Sequence, residues 1–269
     1  MINYTRITRL KDQHLVEIKK LNDELVNLKA LHQKVSQVLE GTLHEVRRFS
    51  GEISSHAEQL NKILTNGAPL QIQTSEIANT IFFTSGMLSA RLAFADLELN
   101  PSGVAIQVRT TSIIYKKFEK ARHILAMKAR AKNINIKFQG NSFFSQDVLQ
   151  AFELIPFVIF ENAIKYSPQN GEVLVTFEND SNRTLTVKIN STGPQVGTGE
   201  LMTLIQRGAR GENALRSKTP GDGLGLYLVN FLCELHEVKL KINSDTTSNY
   251  SLGNIPYSVF LITLDFKLP

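Results

Sequence analysis

His44 stands in the run GTLHEVRRFS, residues 41–50, with Glu45 beside it and Arg47 and Arg48 about one helical turn on. A neutral, exposed imidazole can attack phosphorus, and an adjacent carboxylate can hold its other N–H and take up the proton as charge develops. Glu45 is placed for that role, and Arg47 could steady a phosphate or a partner's carboxylate. Taken alone, the run also reads as a surface helix carrying an ordinary histidine, as do the settings of His14, His32 and His56.

Three further stretches carry chemistry. In FENAIKYSP, residues 160–168, Asn162, Lys165 and Tyr166 are three and four apart and share one helical face. They offer an amide oxygen for a hard cation, an ammonium for phosphate, and a ring to lie against a base or ribose. In PGDGLGLYLVNF, residues 220–231, Gly221, Gly223 and Gly225 lead into an apolar helix, so backbone N–H groups can approach phosphate at its positive end. The alternation of Leu224 with Leu226 points to a packed turn. In VKINSTGPQV, residues 187–196, a strand runs into a Gly-Pro turn, where Gly193 permits close approach of a ring and Ser191 or Asn190 could hydrogen bond it. A plain helix end, a flexible loop and a strand exit are the competing structural readings of the three. The long basic segment 198–219, with Arg207, Arg210, Arg216 and Lys218, suits a lid over a polyphosphate.

The elements that must hold these residues fall into two textures. From Ile18 an apolar seam steps by three and four through Leu21, Leu25, Leu28, His32, Val35, Leu39, Thr42, Val46, Phe49, Ile53, His56, Leu60 and Ile63. That heptad register predicts a long helix paired with another helix. With Thr42 and Val46 at d and a, His44 falls at f, facing water. Asn66 and Gly67 stop the helix, and a second runs from about Ser75 to Leu99 with Ile77, Ile81, Leu88, Leu92, Ala95 and Leu99 as its apolar face. Two antiparallel helices leave too much apolar surface bare, so the hairpin is expected to pair with a second copy in a four-helix bundle, a homodimer.

After NPSG the pattern changes to alternating strands and helices. VAIQVR, INIKF, VLVTFE, LTVKIN, VKLKIN and SVFLITLDF read as strands; residues 112–132, 146–166 and 224–236 read as helices, with Pro156 marking a restart or kink. The expected fold class is α+β: a helical hairpin over residues 1–100, then an α/β sandwich over 104–269, its mixed sheet covered by helices on one face.

Composition narrows the partners. The 269 residues carry 30 Lys and Arg against 25 Asp and Glu, a formal +5, with the basic residues spread along the chain and no arginine-rich arm. Nucleic acid is therefore not expected; anionic small ligands or an acidic protein face fit better. The single Cys233 lies in an apolar helical stretch and reads as a buried, reduced thiol, which points to the cytosol. Neither a membrane span nor a signal peptide is legible, so a soluble, cytoplasmic chain is expected.

Exposed HEVRR, then FENAIKY, STGP and GDGLGL, in that order behind a helical hairpin, resemble the sensor histidine kinases of two-component signalling from about residue 30 to 269. The resemblance implies a dimerisation and phosphotransfer hairpin followed by an ATP-binding sandwich of the GHKL or Bergerat type. It further implies that His44 is the phosphoacceptor, Glu45 its assisting acid/base and Asn162 the Mg²⁺ ligand. Lys165, Tyr166, Ser191 and Gly193 would lie at the nucleotide, and Gly221, Gly223, Leu224 and Gly225 would shape the phosphate end. ATP and Mg²⁺ would be the cofactors, and a response regulator receiver domain the partner that takes the phosphoryl group on an Asp.

Two departures bear on function. Where that family usually has Asp-x-Gly-x-Gly, this chain has Ser191, Thr192, Gly193, Pro194 and Gln195. Losing one charge-assisted hydrogen bond costs ~1.5–3 kcal/mol, roughly ten- to more than a hundredfold in affinity. A degenerate, kinase-like dimeric scaffold is thus the alternative reading. Arg48 stands where the family tends to place Thr or Asn for dephosphorylating its partner, which argues against phosphatase activity. A hydrolytic ATPase would need a glutamate one turn before Asn162; Val158 is there.

Overall fold

The structure is a computed structural model and describes residues 4–65, 71–100, 107–181, 183–248 and 250–267. Helix α1 runs Tyr4–Thr65 and α2 runs Gln71–Leu99. The expected stop at Asn66 and Gly67 lies outside the described residues. At 1.5 Å per residue the two helices are ~93 and ~44 Å long, so α2 can face only the C-terminal half of α1. Burial follows that geometry. Val38, Thr42 and Phe49 are buried, whereas Leu21, Leu25, Leu28, Leu31, Val35 and Leu39 stay exposed. The expected α2 face divides as well: Ile77 and Ala95 are buried, but Leu92 and Leu99 are exposed. A different side of α2, through Met87, Ala90, Phe94 and Leu97, enters the core of the sandwich.

That sandwich contains β1 (Thr110–Ile113), α3 (Ile114–Ile124), α4 (Ala126–Ala131), β2 (Asn135–Gln139), β3 (Ser145–Val148), a 3₁₀ turn (Gln150–Glu153), α5 (Leu154–Tyr166), β4 (Glu172–Ser181) and β5 (Thr184–Pro194). It continues with α6 (Glu212–Arg216), α7 (Gly225–Leu235), β6 (Lys239–Ser244), β7 (Tyr250–Leu252) and β8 (Ile255–Lys267). The main sheet has the order β2-β4-β5-β8-β6, with β7 against β8. Only the β2–β4 pairing is parallel; β4–β5, β5–β8, β6–β8 and β7–β8 are antiparallel.

Two expected helices were too long. Residues 112–132 divide into the end of β1, then α3 and α4. Residues 146–166 divide into the end of β3, a 3₁₀ turn and α5. Pro156 supplies the reason for the second break: it sits in the first turn of α5, where its missing N–H costs nothing, so the helix restarts there. Half of the expected strand 104–109 lies outside the described residues; residues 107–109 are not in a strand.

Register fixes which side chains face the helices. Leu185, Val187 and Ile189 of β5 are buried opposite Phe266, Leu264 and Ile262 of β8. The same period of two carries Ser191 and Gly193 onto that inner face. Phe49 and Phe94 join the hairpin to this core, with ring centroids 5.8 Å from Phe157 and 5.4 Å from Phe231. Among the described residues no helix is long and apolar enough to cross a membrane.

Candidate functional site

A cavity of about 480 Å³ opens between α1, α5, the end of β5 and the loop before α7. His44, Glu45, Asn162, Lys165, Tyr166, Ser191, Gly193, Gly221, Gly223, Leu224 and Gly225 all line it. The sequence separates these residues by up to 181 positions; the fold gathers them on one wall or another of a single cleft.

The last turns of α5 supply Asn162, Lys165 and Tyr166. The helix stops because Ser167 precedes Pro168 and is extended, at φ −65° and ψ 147°. Tyr166 lies against the inward end of β5: a Cβ added to Gly193 would meet Tyr166 Cβ at 3.6 Å, an ordinary contact. The Lys165 ammonium is 4.6 Å from the centroid of the Tyr166 ring. Ser191 is buried on the same face.

The glycine loop is a cradle in the strict steric sense. Gly223 has φ +69°, and a Cβ there would lie 2.5–2.6 Å from the backbone of Gly208 and Ala209. Gly225 opens α7, and a Cβ on it would meet Asn162 Nδ2 at 2.9 Å. No side chain caps α7, which leaves its first N–H groups for a ligand. Among the described residues no cluster of three or more His, Cys, Asp or Glu could hold a metal ion. A magnesium ion here would draw on Asn162 and on the oxygens of a bound polyphosphate, the usual arrangement for that ion. The open cradle and the amide beside it fit such a pair.

On the hairpin wall the His44 side chain is 66% exposed, as the heptad register requires, and its Nε2 lies 3.9 Å from Asp222 Oδ2. Glu45 has a different partner from the one expected. Its Oε2 accepts from Arg48 Nη2 at 2.6 Å, because the two are three apart on one helical face. Arg48 also donates to Glu161 Oε1 at 2.5 Å, and Lys128 donates to the same oxygen at 2.7 Å. Burial would lower the Arg48 pKa, but Glu161 and then Glu45 outweigh it and the net movement is upward. Burial would raise Glu161; Arg48 and Lys128 outweigh that and hold its carboxyl below the usual range. Glu161 is therefore an ion-pair residue joining α5 to α1, and nothing in its setting prepares it to activate water.

The basic loop also differs from expectation. Arg207 is bonded to Glu98 of α2 and donates to the Gln37 carbonyl of α1 at 3.1 Å, tying the loop to the hairpin. Tyr227 adds a 3.0 Å hydrogen bond to Glu98. Arg210 lines the cavity while bonding the carbonyls of Ala214 and Thr219. Arg216 donates to Asn213 Oδ1 and the Asn254 carbonyl, and Lys218 is exposed.

Residues 151–267 match the family described as Histidine kinase-, DNA gyrase B-, and HSP90-like ATPase. The sensor histidine kinase HprS of Escherichia coli (strain K12) is 27% identical over 208 residues, covering 76% of this chain and 43% of that protein. The chain is a relative of the sensor histidine kinases. The histidine protein kinase SaeS of Staphylococcus aureus (strain USA300) is 21% identical over 233 residues, covering 84% of this chain and 64% of that protein. The chain thus spans about half to two thirds of the length of these curated relatives. Among solved structures, the mycobacterial sensor histidine kinase MprB gives a TM-score of 0.46 at 18% identity, covering 60% of this chain and 100% of that one.

Three residues of this histidine kinase relative escape a motif search. Asp222 is visible in PGDGLGL but has no assigned task until the fold sets it beside His44. Arg91 and Glu98 are seven apart in an apolar helix, and both are 3% exposed. Two opposite charges at that spacing on a helix otherwise rich in small and apolar residues are the signal the sequence offers.

Proposed function

We propose that the chain is an ATP-dependent protein histidine kinase: it phosphorylates itself on His44 and passes the phosphoryl group to an Asp of a response regulator receiver domain. What carries this reading is that an exposed imidazole and the Asn162, Lys165 and glycine-loop cradle line one cavity. Residues 1–100 act as the dimerisation and phosphoacceptor hairpin, and 104–269 as the ATP-binding sandwich. The apolar row Leu21, Leu25, Leu28, Val35 and Leu39, exposed in the single chain, is the seam for a second copy. The work is done in the cytoplasm, where ATP is available and Cys233 stays reduced.

Tyr166, Ser191 and Gly193 hold the base end of the nucleotide, and Gly221, Gly223, Leu224 and Gly225 with Lys165 hold its phosphates. Asn162 and the phosphates would hold a magnesium ion, which would supply positive charge where negative charge develops. The imidazole lone pair of His44 forms a bond to the γ-phosphorus as the bond to the bridging oxygen breaks, and that electron pair leaves with ADP. The other ring N–H loses its proton, with Glu45 as the assisting base once Arg48 releases it.

The test is autophosphorylation with γ-labelled ATP. Wild type gains acid-labile, alkali-stable label, and His44→Gln gains none; equal labelling of the two overturns the assignment. Ser191 favours a second reading, a dimeric scaffold with weak or altered nucleotide binding, since a hydroxyl replaces the carboxylate usual in the family. Calorimetry with ATP and Mg²⁺ separates the two. Tight binding excludes the scaffold, and none at millimolar nucleotide excludes the kinase.

A further inference from the structure

Arg91 is a buried cation with two donors that no acceptor takes. The residue is 3% exposed and lines the cavity, and neither Nε nor Nη1 has a hydrogen-bond partner among the described residues. Burying charged donors without an acceptor is costly, and folded chains keep few such groups. Two carboxylates attract it, those of Glu45 and Glu98, but neither accepts a hydrogen bond from it, and Glu98 Oε2 is itself without a partner among the described residues. Glu45 of α1 accepts from Arg48, and Glu98 of α2 accepts from Arg207 and Tyr227. The guanidinium carbon lies over the Phe94 ring, 5.0 Å from its centroid, which closes another side.

Position says where the guanidinium lies. A Cβ added to Gly41 would lie 3.6 Å from Arg91 Nη2 and 3.2 Å from Leu224 Cδ1. The guanidinium therefore rests against α1 one turn before His44, on its side of the helix, with the glycine loop beside it. Gly41 weakens the helix interior relative to alanine, and the room it leaves is what Arg91 and Leu224 use.

We propose that Arg91 is a phosphoryl-binding catalytic residue of the hairpin, whose free N–H groups take oxygens of the group in transit to His44. This rests on the kinase reading. Lys165 and the glycine loop belong to the sandwich and hold the phosphoryl group while it is part of the nucleotide. Arg91 belongs to the hairpin and stays with the group after the bridging oxygen has left with ADP. A guanidinium suits both stages, because its donors match phosphoryl oxygens and it remains charged when buried.

The experiment compares wild type, R91M, R91K and H44Q, all as full chains. Labelling from γ-labelled ATP should fall tenfold or more in R91M and recover in part in R91K, while ADP affinity by calorimetry stays within twofold of wild type. The melting temperature of R91M should equal or exceed that of wild type, because an unpartnered buried charge is removed; a purely structural arginine would give a lower one. Inorganic phosphate should raise the melting temperature of wild type more than that of R91M. Labelling of R91M within twofold of wild type, with H44Q unlabelled, overturns the role of Arg91 and leaves the kinase reading standing. ADP affinity falling in step with labelling, or a lower melting temperature in R91M, overturns it too. Labelling of H44Q at the wild-type level removes the kinase reading itself.

Discussion

Arg48 Nη1 lies 2.5 Å from Glu161 Oε1, so the helix that carries His44 is clamped to the helix that carries Asn162. The clamp is three-sided, since Arg48 also holds Glu45, and Glu161 also takes Lys128. It keeps the nucleotide wall and the acceptor wall of one cavity together, and it occupies the carboxylate that His44 would use.

A double-mutant cycle measures this clamp. Both partners are mostly buried, so removing either leaves the other short of a partner, and the coupling between Arg48→Met and Glu161→Gln is expected at about 1–3 kcal/mol in urea unfolding. A coupling near zero would mean that Lys128 alone satisfies Glu161.

Two glycines should respond oppositely to alanine. Gly223 is in the left-handed region and a Cβ would strike backbone, so Gly223→Ala is expected to cost about 1–3 kcal/mol and to weaken ADP binding tenfold or more. Gly51 lies inside α1 with nothing within 4 Å of an added Cβ, and Gly51→Ala should stabilise by about 0.5–1 kcal/mol. Denaturant midpoints and calorimetry check both.

His236 makes stability depend on pH. Its Nε2 accepts from the Leu149 N–H at 3.0 Å and its Nδ1 pairs with the Leu232 carbonyl at 2.7 Å. Burial lowers its pKa from 6.5 to about 4, against the opposing pull of that carbonyl. The unfolded chain therefore binds a proton between those values and the folded chain does not. Stability from this group is full above pH 6.5 and is lost as pH falls toward 4, by about 2 kcal/mol at pH 5. Urea midpoints at pH 7 and 5 should differ by less in His236→Gln than in wild type; equal differences would place the proton elsewhere.

Glu98 anchors the loop over the cavity by accepting from both Arg207 and Tyr227 while 3% exposed. Glu98→Ala leaves two donors without an acceptor and is expected to cost about 2–4 kcal/mol. Limited proteolysis should then cut within residues 197–211 faster than in wild type. Tyr227→Phe, which removes one hydrogen bond, should cost about 1 kcal/mol.

Local pattern was enough for much of this. The heptad register put His44 at an outward position because helical periodicity is set by the chain itself. Period-two alternation put Ser191 on the same face as Leu185, Val187 and Ile189, and spacing of three and four put Asn162, Lys165 and Tyr166 together. Hydrophobic runs overestimated two helices, since β1 and β3 are short strands whose partners are 35 or so residues apart and leave no local signature.

What only the tertiary structure decided is who pairs with whom across those distances. Glu45 turns to Arg48, Arg207 to Glu98, and Asp222 toward His44, because charged side chains take the partners that packing brings within reach, whatever their place in the sequence. Sequence by itself determined the faces, the glycine hinges and the residue types able to handle phosphate. Packing of α2 into the sandwich core decided that Arg91 and Glu98 would be buried, Arg91 at the cavity, since burial depends on a neighbouring surface that no local pattern contains.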